Sequence, residues 1–175
     1  MTPSRTESRR RLPGMTLSRW LAAFVTLVVL AVLGVVLYVR SADAGYRGEE
    51  RNAVRLAESQ AGLTEIESAV SYTWNETLWV VLGKDRDGVE WFVWEREGGI
   101  EKMKLSDGYS EARIRERFAI DRPSARVIRI LPGWAFDQPI WEIRYKKAPR
   151  ADQQSIDFYS FRDGTLLKTY DLPGS

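Results

Sequence analysis

Residues 89–95 read VEWFVWE, preceded by the turn-forming KDRDG at 84–88 and followed by Gly98-Gly99. Five of the seven residues are Val, Trp or Phe, which suit an extended, pleated chain. Alternation sends Val89, Trp91 and Val93 to one face and Phe92 and Trp94 to the other. Both faces are apolar, so both must be covered. One helix laid on a sheet covers one face. The face carrying Phe92 and Trp94 then meets another part of the chain, a protein partner or sugar rings, and contiguous aromatics favour the first of these.

Working outward from that strand, 66–74 and 78–82 are strand-like, with Asn75-Glu76 as the turn between them, and 100–105 is a fourth strand. Upstream, Ala53, Val54, Ala57 and Ala61 recur at helical spacing, with Glu49 and Glu50 in the first turn and Gly62 placed to cap a helix over 49–61. Downstream the programme restarts. Residues 106–108 break the chain, Ser110 can cap a helix to about residue 118, and Tyr109 with Ile114 can staple its start. Strands are predicted at 125–131, 140–146, 155–161 and 166–170, with Pro132, Pro139 and the segment 148–154 as connections. The third strand of each set is aromatic and leads through a glycine turn to a lysine-bearing fourth. This is an internal repeat of about 65 residues, too small for each copy to be secure alone, so the copies are expected to pack together. The fold class is α+β: an amino-terminal transmembrane helix followed by two tandem units, 49–107 and 108–175, each one helix on a four-stranded antiparallel sheet.

The transmembrane reading rests on residues 20–39, WLAAFVTLVVLAVLGVVLYV, twenty residues without a charge. At about 1.5 Å per residue they cross a hydrocarbon core of roughly 30 Å. Trp20 and Tyr38 sit where aromatic rings favour the headgroup level. Arg5, Arg9, Arg10, Arg11 and Arg19 precede the segment and hold the amino terminus inside. Residues 1–19 are accordingly a cytoplasmic tail, 40–48 a flexible linker, and the remainder faces outward. Ala42-Asp43-Ala44 offers the alternative of a signal peptide cleaved after Ala44, but signal-peptide cores are usually about 7–15 residues, shorter than this run.

Charge and composition narrow the function. Residues 41–175 carry 20 basic and 23 acidic side chains, a net charge of −3, which argues against a nucleic-acid interface. The chain has no cysteine and no histidine, so disulfides, thiol nucleophiles, Cys/His zinc sites and imidazole acid–base chemistry are absent. Carboxylate pairs occur at Glu65/Glu67, Asp85/Asp87 and Glu95/Glu97, and i, i+2 residues of a strand share a face at a spacing that glycosidases use. The aspartates are explained by their turn, however, and the glutamates stand among Arg and Lys as solvated faces. Asp85-Arg86-Asp87-Gly88 lacks the later glutamate of a calcium loop. Ser110 and Ser160 belong to no nucleophile motif. No catalytic, metal or cofactor residue is assigned, and neither an enzyme nor a small-molecule substrate is expected. Trp134, in PGWAFDQP between two prolines, is read as a loop aromatic of the kind that binds partners.

The anchor, WVVLGKDRDGVEWFVWE, and then IWEIRY followed by IDFYSFRDGTLLK resemble the TseB-like (YpmB-type) membrane proteins of Gram-positive bacteria, built of two PepSY-like, cystatin-like units. The resemblance runs from the anchor to about Leu172. It implies a membrane-anchored regulator of cell-wall elongation that acts outside the membrane through a penicillin-binding transpeptidase, and it brings no catalytic residues. The segment KKAPRADQQ is longer and more basic than that pattern. Two other readings stand beside it: an inhibitor or propeptide-like modulator of a surface peptidase, and a module binding wall glycan through exposed tryptophans. The partner-binding residues expected are Phe92, Trp94 and Trp134.

Overall fold

The computed structural model describes residues 17–148 and 153–173. The basic tail through Arg11 and residues 149–152 of the basic segment lie outside the described residues. Two compact units are present, Met1–Tyr46 and Arg47–Ser175.

The first helix, α1, is Leu17–Ala61. Within the amino-terminal unit, Trp20–Tyr38 is long and apolar enough to cross a membrane, and every described side chain along it is exposed. Residues 41–48, expected as a flexible spacer, are helical. Two mid-helix glycines cost about 1 kcal/mol each, but Ala42 and Ala44 are strong helix formers and the flanking turns are already nucleated.

The carboxy-terminal unit contains two four-stranded antiparallel sheets, each a simple meander. The first is β1 (Glu65–Thr73), β2 (Thr77–Lys84), β3 (Glu90–Arg96) and β4 (Gly99–Lys104). A short 3₁₀ turn, Leu105–Asp107, leads to α2 (Glu111–Asp121). The second sheet is β5 (Arg126–Ala135), β6 (Gln138–Lys146), β7 (Gln154–Ser160) and β8 (Leu166–Asp171). The first edge strand of each sheet carries a bulge near its start, at 66/68 in β1 and at 127/129 in β5. The bulge thus falls near the start of the first strand in both sheets.

Each sheet has its own helix. Ala53, Ala57 and Ala61 of α1 lie on Val81 and Val93, their small side chains letting the helix backbone approach the sheet. Gly62, at φ 72°, ends the helix in the left-handed region open to glycine. The Lys102 ammonium then donates to the last carbonyl, that of Ala61, and lies 4.0 Å from the Trp91 ring centre. Beside the second sheet Ser110 caps α2 by accepting from the Arg113 N–H, and Phe118 meets Tyr145 edge-on at 5.0 Å.

The other face of the first sheet is covered by the second sheet and the turn after β7. Phe92 packs against Trp141 and Phe161 at 5.7 and 5.3 Å, and Trp94 against Phe161 at 5.2 Å. Tyr72 lies over Gly133, where a Cβ would stand 2.5 Å from its ring. A backbone without a side chain is therefore required there for the units to close.

The β5–β6 connection differs from expectation. Pro132 and Pro139, read as loop residues, both lie inside strands, and the strands run on to the pair Ala135 and Gln138. The turn is only Phe136-Asp137, with φ 54° and 57°, the left-handed pair that a two-residue hairpin of the right twist demands. Pro132 is tolerated because β5 is an edge strand, and Pro139 because it stands second in β6. Trp134 is consequently a strand residue, paired with Pro139, and not a loop aromatic.

Candidate functional site

The carboxyl end of β3 carries Trp94 and, two residues on and on the same face, Arg96. Opposite them stand Trp134 and the Phe136-Asp137 turn, with Arg162 entering from the turn after β7. Trp94 and Trp134 approach edge to face at 6.4 Å. Arg96 is fixed twice: its Nε donates to Glu76 Oε1 at 2.7 Å, and its guanidinium carbon lies 4.2 Å from the Trp134 ring centre. A cation over an indole gains about 0.5–2 kcal/mol depending on its desolvation.

A cleft of about 360 Å³ opens between these groups, lined among others by Trp94, Glu101, Trp134, Asp137 and Arg162. A second hollow of about 250 Å³ shares Arg96, Trp134 and Asp137 with it and reaches Asn75 and Glu76 of the β1–β2 turn. Four hairpin ends thus converge here. Trp94 Nε1 and Trp134 Nε1 are both buried and without a hydrogen-bond acceptor among the described residues.

Of the three residues expected to bind a partner, Phe92 is 4% exposed, Trp94 0% and Trp134 9%. Phe92 and Trp94 are held in the core between the units, and Trp134 alone keeps an edge at the cleft. The sequence reading did not single out Arg96, Glu101, Asp137 or Arg162. Arg96 could have been found from its place two residues beyond Trp94. Glu101 stands beside Trp94 as its register partner across the β3–β4 hairpin, and Asp137 and Arg162 reach the cleft from the second sheet's hairpins.

The carboxylate pairs resolve differently from one another. Asp85 Oδ1 accepts the N–H groups of Asp87 and Val89, and Oδ2 accepts the Trp91 indole N–H at 2.8 Å. These bonds, the indole first, hold its carboxyl below the ordinary range despite some burial. It is a turn-forming residue. Glu67 pairs with Lys84 at 2.9 Å. Glu95, read as solvated, is instead half-buried between its register partners Trp79 and Ile100, and one of its oxygens has no hydrogen bond. Burial pushes its carboxyl up to about 7. Among the described residues no group of acidic side chains is arranged to hold a metal ion.

Glu95 gives a pH prediction. Its folded pKa lies above the ordinary 4.5, so the stability it allows is full below about 4.5 and is lost as pH rises through about 7. Glu95→Gln, which mimics the protonated acid, is expected to raise stability at pH 8 by about 1–2 kcal/mol after allowance for partial exposure. It should change little at pH 4. Thermal unfolding of both forms at the two pH values checks this.

The architecture defines a class: an α+β protein with two four-stranded antiparallel sheets and an amino-terminal helix of membrane-spanning length. Residues 52–94, from the last turns of α1 to β3, match the family model of the cell wall elongation regulator TseB-like domain. The YpmB protein from Bacillus subtilis shares the fold at TM-score 0.63 and 19% identity, over 70% of this chain and 97% of that one. A candidate lipoprotein from Clostridium difficile 630 aligns over 70% of this chain and 91% of that one, at 14% identity and TM-score 0.36. No curated protein matches the chain. The resemblance to the TseB-like, YpmB-type family is borne out, by the family model over residues 52–94 and by the fold shared with YpmB.

Proposed function

We propose that the chain is a membrane-anchored regulator of cell-wall elongation in a Gram-positive envelope, acting outside the membrane by binding a penicillin-binding transpeptidase. In this reading residues 1–19 are cytoplasmic, 20–39 span the membrane, 40–48 join anchor to domain, and 49–107 and 108–175 are two PepSY-like, cystatin-like units. The observation that carries it is the TseB-like match over 52–94, in a chain whose apolar segment follows five arginines. A binding rather than a catalytic role is supported by the absence of histidine and cysteine and by the structural duties of Asp85 and Glu67. Trp134 is the aromatic that reaches a partner, and Phe92 and Trp94 hold it in position.

The test is a cross-linked pull-down of the full-length protein from growing cells, together with a deletion strain. Enrichment of an elongation transpeptidase and slowed wall growth on deletion are expected. Unchanged wall growth and transpeptidase level would overturn the proposal. Recovery of a surface peptidase, or of wall glycan without protein, would replace it with the inhibitor or glycan-binding reading.

A further inference from the structure

The cleft beside Trp94 and Trp134 has a donor pattern that the chain itself leaves unused. An indole N–H donates and cannot accept. Trp94 and Trp134, both at least nine-tenths buried, line one cleft, and the Nε1 of each is buried without an acceptor among the described residues. A buried polar group left unpaired costs about 1–3 kcal/mol, and more than roughly 90% of such groups are satisfied in folded proteins. Around them are two guanidiniums, Arg96 and Arg162, and two carboxylates, Glu101 and Asp137, while the ammonium of Lys102, which also lines the cleft, donates to the Ala61 carbonyl.

We propose that this cleft receives the free carboxyl terminus of a short peptide. A carboxylate brings acceptor oxygens for both indoles and matches the fork of a guanidinium. Arg96 is already oriented for it by Glu76 and the Trp134 ring. Glu101 and Asp137 disfavour a dianion such as phosphate at the same rim and offer acceptors to the N–H groups of a peptide. A volume of about 360 Å³ is at the low end for small-ligand clefts, which suits a few residues and not a folded chain. The two Nε1 atoms are closed to solvent, so entry involves a small rotation of Trp134, the ring with an exposed edge. This binding goes beyond the regulatory reading and does not depend on the identity of the protein partner.

The experiment uses full-length protein in nanodiscs with ¹⁵N-labelled tryptophan, titrated with alanyl-alanine and trialanine, their carboxyl-terminal amides, acetate and inorganic phosphate. Trp94→Phe and Trp134→Phe assign the two indole resonances. Both resonances are expected to move saturably with the free peptides, and the amides to bind about tenfold more weakly or worse. Arg162→Ala, at an exposed position, should weaken peptide binding by about tenfold and leave the unfolding temperature unchanged. Resonances that stay in place at millimolar peptide, or equal binding of the amides, would overturn the proposal. Acetate or phosphate binding as tightly as the peptides would reduce the cleft to an anion site and overturn the peptide assignment. None of these readouts involves a transpeptidase, so a failed pull-down leaves this result standing, and the reverse holds too.

Discussion

Asp157→Ala is expected to destabilise the carboxy-terminal unit by about 2–4 kcal/mol, since buried hydrogen-bond partners left unpaired cost about 1–3 kcal/mol each. Asp157 is fully buried on β7. Its Oδ2 accepts from Arg122 Nε at 3.1 Å, and its Oδ1 from the Tyr145 hydroxyl at 3.1 Å and the Thr169 hydroxyl at 2.7 Å. One carboxylate thereby ties the end of α2 to β6, β7 and β8. Without it, the Tyr145 hydroxyl is left in a site whose burial already holds its pKa above the ordinary range, helped by the Asp157 charge. Arg122 is about one-third exposed and can turn to water, so no buried charge is left behind and the loss stays with the hydroxyl partners. Asp157→Asn keeps the shape and some of the bonds and should cost about 1–3 kcal/mol. Thermal unfolding followed by tryptophan fluorescence measures both, and a drop of only a few tenths of a kcal/mol for the alanine variant would show the network to be dispensable.

That network illustrates what sequence reading reaches and what it does not. The eight strands and the second helix were legible because their determinants are local: alternation in VEWFVWE, the Asp85 turn, Gly62 past the end of α1, Ser110 before α2. Pro132 and Pro139 misled because proline's missing N–H is decided by whether the strand is an edge and where the residue stands in it, which pairing alone reveals. The spacer at 41–48 misled because glycine propensity is a weak, per-residue term beside the cooperativity of the helix around it. Glu95 looked solvated because its sequence neighbours are charged. Its burial comes from Trp79 and Ile100, sixteen and five residues away. The cleft was illegible for the same reason. Trp94 and Trp134 are forty residues apart, and nothing in either segment shows that both indoles end up buried without an acceptor among the described residues.

Alternation did show that Phe92 and Trp94 needed cover, and the kind of cover decides how their substitution should behave. Trp94→Ala is expected to cost about 3–5 kcal/mol, the range for truncating a buried large aromatic. The Trp94 ring touches Phe92 at 5.5 Å, Phe161 at 5.2 Å and Trp134 at 6.4 Å, so its loss opens a void at the junction of both units. The loss should therefore appear as one cooperative transition displaced to lower temperature for the whole carboxy-terminal unit, because Trp134 and Phe161 stand with the second sheet and Phe92 with the first. Independent units would give two transitions, with only the first displaced. Cellular phenotypes of Trp94→Ala are then expected to follow protein abundance, whereas Arg162→Ala, at the cleft rim and exposed, should leave abundance unchanged. Comparing the two by unfolding and by immunoblot separates the fold's need for the aromatic junction from any use of the cleft. Trp94→Ala protein of normal abundance and unfolding temperature would mean that Trp94 serves a ligand and not the core.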